Sequence, residues 1–285
     1  MKKNLAAVVV LYNPEDTTYE NICTYINEVD KLYLVDNSDI KNNKLIQRLL
    51  PSKNITYIDN KTNLGIATAL NIGYDFANKE NYKWLLTMDQ DSCFYNFEAY
   101  LNCIDNFSSQ KDKTAIFTLN HSHTEQPTNN DCHYISKDIV ITSGNILNLE
   151  LLQIHNIRFE DDFFIDMVDY DLSYKVKELG YQIVLFDTHY LKHSLGSIFK
   201  RKNLISRKVK EKIEHNPQRV YYMTRNSLYL AKRYKDIGFI KTLNILFIHD
   251  ITKIFLYEGQ KIKKLKAKLV ALFHFLIGKK GKYIL

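Results

Sequence analysis

The chain is poor in glycine and proline, with 9 and 4 of these residues in a total of 285. This scarcity excludes collagen-like and Pro-rich proteins and leaves no Gly/Ser linker between domains. The sequence also lacks a run of about 20 apolar residues, so no segment is predicted to span a bilayer. The four cysteines form no C-x-x-C pair and no zinc-finger spacing. We therefore expect a reduced cytosolic protein whose thiols are free, incidental and buried.

Positive charge is concentrated at one end of the chain. Residues 200–285 contain 22 Lys and Arg against 5 Asp and Glu, whereas residues 1–199 contain 17 against 27. The net charge of +7 is thus an average over an acidic body and a basic tail. Such a tail is typical of proteins that bind an anionic partner, either nucleic acid or an acidic membrane surface.

The first third of the sequence alternates between short apolar runs and segments with helical periodicity. Strands are predicted at 5–11, 31–35, 55–58 and 84–88. Helices are predicted after the capping box Thr17-x-x-Glu20, over 44–50, and from Asn63-Leu64-Gly65 to about Ala77. This order predicts an α/β fold with a mostly parallel sheet and helices on both faces.

The remaining sequence is less regular. We predict a polar surface loop over 120–131 that includes His121 and His123, strands over 135–143 and 181–186, and a helix over 169–179. From about residue 208 onward only helices are expected. The predicted domains are a catalytic domain at 1–207, with halves at about 1–92 and 93–207, and a basic helical extension at 208–285.

Acidic residues stand where predicted strands end. Asp89 and Asp91 follow the fourth strand, where paired carboxylates could bind Mg²⁺ or Mn²⁺ and, through the metal, a diphosphate. The alternative is a solvated turn. Asp36 ends the second strand and could accept a hydrogen bond from a nucleotide base or ribose. Its alternative is the cap of an Asx turn.

Three carboxylates, those of Asp166, Asp169 and Asp171, cluster at the start of the 169–179 helix. Helix capping explains one or two of them, and a third could serve as a general base. His193 follows a strand and could contact metal or phosphate, or be structural.

Two arginines occupy a later predicted helix. Arg219 and Arg225 could bind a diphosphate, or they could be solvated on a surface helix.

The basic tail has amphipathic periodicity. Its last helix has an apolar stripe with lysines crowded near its start: Ile262, Leu265, Leu269, Leu272, Phe273 and Leu276, with Lys261, Lys263, Lys264, Lys266 and Lys268. A second stripe precedes it: Leu243, Leu246, Phe247, Ile251, Ile254 and Phe255. These stripes favour contact with an anionic membrane surface, or alternatively packing on the body. No nucleic-acid motif accompanies the charge, so we expect no nucleic-acid partner.

Six blocks in a fixed order resemble glycosyltransferase family 2. They are Val8–Asn13, Val35–Ser38, Asn63–Ala67, Asp89-Gln90-Asp91, Phe164–Lys175 with Gly180-Tyr181, and Arg219–Asn226. The last two blocks, together with Gln90, resemble its rhamnosyltransferase-like branch. The resemblance covers roughly residues 5–235 and implies a GT-A-type, Rossmann-like nucleotide-binding fold with a mixed, mostly parallel sheet. It also implies a metal-dependent, inverting transfer from a nucleotide sugar.

The resemblance assigns roles to individual positions. It implies nucleotide contacts for Tyr12, Asn13, Asp36, Asn63, Gly65 and Asp89, and diphosphate contacts for Arg219 and Arg225. It implies metal ligation by Asp89, Asp91 and His193, with Asp91 the stronger of the two carboxylate ligands.

The implied catalytic base is Asp169, with Asp166 in reserve, because Val168 replaces the Glu that many members have there. Lys175 stands where an Arg is usual.

Together these features predict a deoxysugar transferase, with L-rhamnose from dTDP-rhamnose as the expected donor. The expected acceptor is a hydroxyl of a lipid-linked surface polysaccharide or cell-wall glycan. The expected location is the cytoplasmic face of the cell membrane, bound peripherally. One alternative is a sugar-nucleotidyltransferase, although Leu11-Tyr12-Asn13-Pro14 stands where such an enzyme needs a Gly-rich phosphate loop. The other alternative is a non-catalytic membrane scaffold with a degenerate fold.

Overall fold

The computed structural model describes residues 4–52, 54–107, 110–122, 131–193, 198–202 and 209–285. These residues form two compact units. The first comprises Met1–Glu160 and Asp169–Ser194, and the second comprises Asp161–Val168 and Leu195–Leu285. The first unit therefore ends earlier than the predicted catalytic domain, which extended to residue 207.

The first unit alternates strands and helices as the sequence predicts. Its elements are β1 (Leu5–Leu11), α1 (Thr17–Cys23), β2 (Lys31–Asp36), α2 (Asn43–Leu49), β3 (Ile55–Asp59), α3 (Ile66–Lys79), β4 (Trp84–Asp89), β5 (Ser92–Phe94), α4 (Phe97–Asn106), β6 (Thr114–Ser122), β7 (Tyr134–Ser136), β8 (Asn145–Asn148), α5 (Leu149–Ile154), α6 (Val168–Glu178) and β9 (Gln182–His193).

One mixed sheet organises this unit. Its strand order is β3-β2-β1-β4-β8-β6-β9-β5, and β7 pairs with β9 beside this path. The strands β3, β2, β1 and β4 are parallel, whereas β8 runs antiparallel to β4. The predicted fold class, a mixed and mostly parallel sheet flanked by helices, is confirmed.

The core of this unit explains the apolar run at the start of the chain. Every residue of β1 is buried, because β1 lies between β2 and β4 with helices covering the sheet. Gly73 of α3 lies so close to this strand that an added Cβ would be 2.3 Å from Cγ2 of Val8. The helix can approach the sheet this closely only because residue 73 has no side chain.

Several local predictions were wrong. Asp16, not Thr17, is the N-cap of α1 and makes no side-chain capping bond, so the predicted capping box does not form. Only β7 occupies the region predicted as a strand at 135–143. Residues 120–122 belong to a strand and not to the expected polar loop, because β6 continues to Ser122 and pairs with β9. Long-range pairing between strands decided these boundaries, and the local composition does not report it.

The second unit consists of a hairpin and helices. Its elements are β10 (Ile198–Lys202), β11 (Val209–Ile213), α7 (Pro217–Arg233), α8 (Phe239–Asn244), the π-helical turn Ile245–His249, α9 (Asp250–Tyr257) and α10 (Lys261–Leu276). The antiparallel β10–β11 pair corrects the prediction that only helices follow residue 208. None of the helices in the described part of the chain combines the length and apolarity needed to cross a membrane.

The expectation of four free thiols was also wrong. Cys103 and Cys132 form a disulfide with a Cα–Cα distance of 5.2 Å, and Cys23 and Cys93 are free. The spacing of 29 residues carries no sequence signal, since the two positions meet only through the fold.

Candidate active site

The carboxyl ends of three parallel strands meet at one edge of the sheet. Leu11 pairs with Asp36 between β1 and β2, and Val10 pairs with Asp89 between β1 and β4. In open α/β sheets this edge is where ligands bind. The residues predicted to contact a nucleotide and a metal therefore follow adjacent strand ends.

Asp89, Asp91 and His193 form a cluster at this edge. One ligand atom from each lies within 4.8 Å of the others. The antiparallel pairing of β5 with β9 sets Ser92 opposite His193, which brings the imidazole beside the acidic pair. Nδ1 of His193 lies 2.6 Å from Oγ of Ser92 and 3.6 Å from Oδ1 of Asp91.

The donor set of this cluster fits a divalent cation. Two carboxylates suit Mg²⁺ or Mn²⁺, and an added imidazole makes the transition metal the better match. Asp91 has an exposed side chain, with 45% of its surface accessible, so it faces solvent where a ligand can enter. The fold places these three residues close together. Their ligation of a metal ion remains a prediction.

Gln90 joins the acidic turn to the end of β1. Its Oε1 accepts a hydrogen bond from the backbone N–H of Tyr12 at 2.8 Å, and its Nε2 donates to the Tyr12 carbonyl at 3.1 Å. Asn21 donates to the Gln90 carbonyl at 3.0 Å. A side-chain amide that pairs with both backbone groups of one residue fixes the spacing between the two strand ends.

A supporting layer behind the cluster was not predicted from the sequence. Nε2 of His121 lies 2.7 Å from the Ser143 carbonyl, so that nitrogen must carry the proton and donate. The Ser143 hydroxyl in turn accepts from the backbone N–H of Asp89 at 3.1 Å. The imidazole of His121 meets that of His193 edge to face, with ring centroids 5.9 Å apart.

His121 was therefore wrongly interpreted as a surface residue, whereas His123 lies outside the described residues. Burial lowers the pKa of His121 to about 4, which keeps its imidazole neutral at physiological pH. Had the length of β6 been recognised, His121 would have been placed in the sheet and not in a surface loop.

The Asp36 carboxylate is buried and already has two partners. Oδ1 accepts from the Ser38 N–H at 2.8 Å, which is the Asx turn of the alternative interpretation, and Oδ2 accepts from the Tyr57 hydroxyl at 2.7 Å. Burial and this carboxylate raise the pKa of Tyr57 well above its usual value. A carboxylate offers about four acceptor sites, so contact with a nucleotide base remains open to Asp36 and stays a prediction.

The other predicted nucleotide residues lie on loops held by side-chain amides. Asn37 donates to the Gly65 carbonyl at 3.0 Å, and Asn63 accepts from the Gly65 N–H at 2.9 Å. Gly65 has φ of 90°, a value that side chains disfavour, and it begins α3. Asn13 accepts from the N–H of Ile40 at 3.1 Å.

Tyr12 has a partly exposed ring, with 45% of its surface accessible, and its hydroxyl contacts Asp39 at 3.1 Å. Partial burial and this carboxylate raise the pKa of Tyr12. The ring is thus available for stacking against a flat ligand.

The predicted catalytic carboxylates lie in a strained backbone segment or just after it. Phe164, Asp166 and Met167 all have positive φ angles, of 62°, 64° and 64°. Such conformations occur mainly where the surrounding structure enforces them, often at functional sites. Asp169 lies in the first turn of α6, where its Oδ1 accepts from the Tyr170 N–H at 2.9 Å.

Asp166 is nearly buried and pairs with Arg219. Nε of Arg219 donates to Oδ1 of Asp166 at 3.0 Å, whereas Oδ2 is buried without a hydrogen-bond partner among the described residues. Burial raises the pKa of Asp166, and the Arg219 charge opposes this.

Arg225 is fully buried, so the interpretation as a solvated surface residue is wrong for it. Its guanidinium donates to the carbonyls of Gly281 at 2.7 Å and Asp162 at 3.1 Å. Arg219 remains half-exposed. These hydrogen bonds to backbone carbonyls give Arg225 a structural role. Its contact with a diphosphate remains a prediction.

Comparison with known proteins accords with this geometry. A family model described as glycosyl transferase family 2 matches residues 6–131. The dTDP-rhamnosyl transferase RfbF of Shigella flexneri is 24% identical over 288 residues, which cover 95% of each chain. The amino-terminal part of the chain is thus similar to glycosyl transferase family 2, and nearly the whole chain is similar to a rhamnosyl transferase.

Solved structures show that the chain has the GT-A fold. Residues 1–349 of TarS from S. aureus superimpose with a TM-score of 0.56 at 13% identity, covering 97% of this chain and 81% of that one. GalNAc-T7, solved with UDP, GalNAc and Mn²⁺, gives a TM-score of 0.55 at 13% identity and covers 67% of this chain. The present chain spans only 43% of that GalNAc-T7 chain.

The last helix of the chain reverses the usual arrangement of an amphipathic helix. The face of α10 that packs against α7 is made of small and charged side chains: Lys264, Ala267, Lys268, Ala271 and His274. The outward face carries large apolar side chains that are 58% to 84% exposed: Ile262, Leu269, Phe273 and Leu276.

Two of the five lysines counted in this helix do not face solvent. Lys264 pairs with Glu214 and Glu258 at 2.8 Å each, and Lys268 pairs with Asp250 at 3.1 Å. Burial lowers the pKa of Lys268. These ion pairs hold the helix within the second unit, whereas Lys263 and Lys266 remain exposed beside the apolar face.

Proposed function

We propose that this protein is a family 2 glycosyltransferase that transfers L-rhamnose from dTDP-rhamnose to a hydroxyl of a lipid-linked surface polysaccharide, with inversion at the anomeric carbon. The observation that carries the proposal is the cluster of Asp89, Asp91 and His193 at the carboxyl ends of β4 and β9. Similarity over 95% of the length of a dTDP-rhamnosyl transferase supports the choice of donor.

A bound Mn²⁺ or Mg²⁺, held by Asp89, Asp91 and His193, would supply positive charge to the diphosphate of the donor. The presence of UDP and Mn²⁺ in the GalNAc-T7 structure supports a donor of this class. Tyr12 offers an exposed ring to the nucleotide base, and Asp36 and Asn63 would contribute polar contacts to the nucleotide.

Asp169 acts as the base, with Asp166 in reserve. An acceptor hydroxyl is a weak nucleophile, so a carboxylate must accept its proton as the oxygen attacks. The new bond joins the acceptor oxygen to the anomeric carbon. The bond from that carbon to the diphosphate oxygen breaks, and its electron pair leaves with dTDP. A single displacement of this kind inverts the anomeric centre.

The outward face of α10 suggests where the acceptor is met. A row of exposed Leu, Ile and Phe side chains flanked by lysines suits the boundary between lipid headgroups and acyl chains. We propose that this face rests on the cytoplasmic surface of the membrane, which would bring the enzyme to a lipid-linked glycan.

Transfer assays with purified protein and labelled donors test the proposal. We expect dTDP-rhamnose turnover that requires Mn²⁺ or Mg²⁺, and a product whose anomeric configuration, read by NMR, is opposite to that of the donor. Asp169→Asn should lower kcat by about 10²–10⁴ with little change in KM for the donor. Asp91→Ala should abolish metal dependence along with activity.

Asp138→Asn is the matched control, because Asp138 is exposed and, among the described residues, forms an ion pair with Lys177 on the surface. Full activity in Asp91→Ala at saturating metal and donor would overturn the metal assignment. Near-normal kcat in Asp169→Asn would overturn the base. Donor hydrolysis or transfer would exclude a non-catalytic scaffold, and formation of a nucleotide sugar from a sugar phosphate would instead indicate a nucleotidyltransferase.

A further inference from the structure

A second cluster of metal-ligating side chains lies apart from the acidic one. Cys103 comes from α4, Cys132 from the segment before β7, and His189 from β9. One ligand atom from each lies within 4.8 Å of the others. Nothing in the transfer chemistry uses these three residues.

His189 is oriented as a metal ligand is. Its Nε2 lies 3.1 Å from Sγ of Cys103, and its ring also hydrogen-bonds to the backbone of Asp131. A disulfide needs no nitrogen beside it. In contrast, a zinc-binding imidazole characteristically presents one nitrogen to the metal and donates from the other to a backbone carbonyl or carboxylate.

Two of the three side chains are buried. His189 has only 2% of its surface exposed. Cys103 is likewise buried with 2% exposed, whereas Cys132 is exposed and leaves one side of the cluster open to water. Two cysteines, one histidine and a water form a common coordination set for zinc.

We propose that, in the reduced protein, Cys103, Cys132 and His189 bind one Zn²⁺ ion, and that the disulfide is the oxidised form of the same site. A thiol reductant breaks the S–S bond by supplying two electrons and two protons, and is itself oxidised to a disulfide. The two thiols then release their protons as zinc binds the thiolates. In a reducing cytosol this form would predominate.

Ligand chemistry separates the two clusters. Thiolates select zinc, whereas the carboxylates of Asp89 and Asp91 suit Mg²⁺ or Mn²⁺. Bound zinc would link the end of α4 to β9 and to the residues that lead into β7. The site would therefore act on the stability of the acceptor half and not on the transfer reaction.

Cobalt substitution tests the site without any activity measurement. Metal-free protein, reduced with a phosphine and titrated with Co²⁺, should develop the thiolate-to-cobalt charge-transfer band in the near ultraviolet, and one equivalent of Zn²⁺ should remove it. The band should persist in Asp91→Ala, because carboxylate and imidazole ligands cannot produce it.

Cys132→Ser should abolish the band, and the exposed position of Cys132 makes the variant safe for folding. Cys23→Ser is the matched control, since Cys23 is a free and exposed thiol. His189→Cys should retain zinc binding and intensify the band, which distinguishes loss of a ligand from misfolding.

Three results would overturn the proposal. One is a reduced, folded wild type with four titratable thiols that produces no band. Another is a band that survives in Cys132→Ser. The third is a Cys103–Cys132 disulfide that resists the reductant in the folded protein. None of these outcomes depends on glycosyl transfer, so the zinc site and the proposed activity can fail separately.

Discussion

Arg225 provides the sharpest test of how the second unit is built. Its buried guanidinium donates to the carbonyls of Asp162 and Gly281, and its Nη1 also contacts the Tyr221 hydroxyl at 3.3 Å. The next residue, Asn226, donates to the carbonyls of Phe163, Ile165 and Asp166 at 2.8 to 3.0 Å. Together the two side chains hold the strained segment that carries Asp166.

Arg225→Met should therefore destabilise the protein strongly. Each hydrogen bond from a charged donor contributes about 1.5–3 kcal/mol, and the substitution leaves two carbonyl oxygens without this donor. Methionine keeps part of the apolar contact with Tyr221 and Tyr222. We expect a loss of about 3–5 kcal/mol in the free energy of unfolding. At about 2–4 °C per kcal/mol, Tm should fall by about 10 °C.

Scanning calorimetry with circular dichroism measures this loss. Arg225→Lys keeps the charge but not the planar fork, so it should fall between the wild type and Arg225→Met. Lys232→Met is the matched control, because Lys232 is an exposed cation on the same helix. If Arg225→Met melts within about 2 °C of the wild type yet loses affinity for dTDP, the guanidinium serves the ligand and the structural reasoning is refuted.

Three further predictions concern packing, pH and the membrane. Gly73→Ala should lower the free energy of unfolding, measured in urea, by about 1–3 kcal/mol, because the added Cβ would clash with Val8. The double variant Gly73→Ala with Val8→Ala should recover part of this loss. If the costs of the two substitutions simply add, the two residues do not clash. Because burial lowers the pKa of His121 from 6.5 to about 4, the unfolded chain binds a proton at higher pH than the folded one. His121 thus contributes its full stability above about pH 6.5, and roughly 3 kcal/mol is lost as the pH falls towards 4. In His121→Asn, the free energy of unfolding should depend less on pH between these two pH values. An unchanged pH dependence would show that His121 is not its source. Replacing Leu269 and Phe273 by Ser should weaken binding to anionic vesicles, measured by co-sedimentation, by about 10²-fold or more, because each side chain contributes about 1.5–3 kcal/mol when it is buried in lipid. The Tm should not fall, because both side chains are exposed in the protein. Equal binding by both proteins would locate the membrane contact elsewhere.

The amino-terminal half could be predicted closely because its signals are local. Continuous apolar runs between turn residues identify buried parallel strands, and the predicted boundaries of β1 to β4 agree with the structure within one residue. Since parallel strands end at the same edge, the sequence also predicted that Asp36 and Asp89 would lie together.

The middle of the chain could not be predicted in the same way. Helix α4 and most of β6 escaped notice, and β9 is twice the length of the predicted strand, with 12 residues. Its pairing with β5 brings His193 to the acidic pair across 101 residues, and its pairing with β6 brings His121 to His193. Contacts at such separations depend on register, which composition does not encode.

The sequence by itself determined the order of the elements, the acidic turn that ends β4 and the division of charge between body and tail. Each of these depends on neighbouring residues or on residue counts. Only the tertiary structure decided which side chains share a site. It buried Arg225 and Lys264, turned the apolar face of α10 outward, and joined Cys103 to Cys132 beside His189. Burial and proximity are properties of the packed chain, because each is set by what another element places opposite a residue.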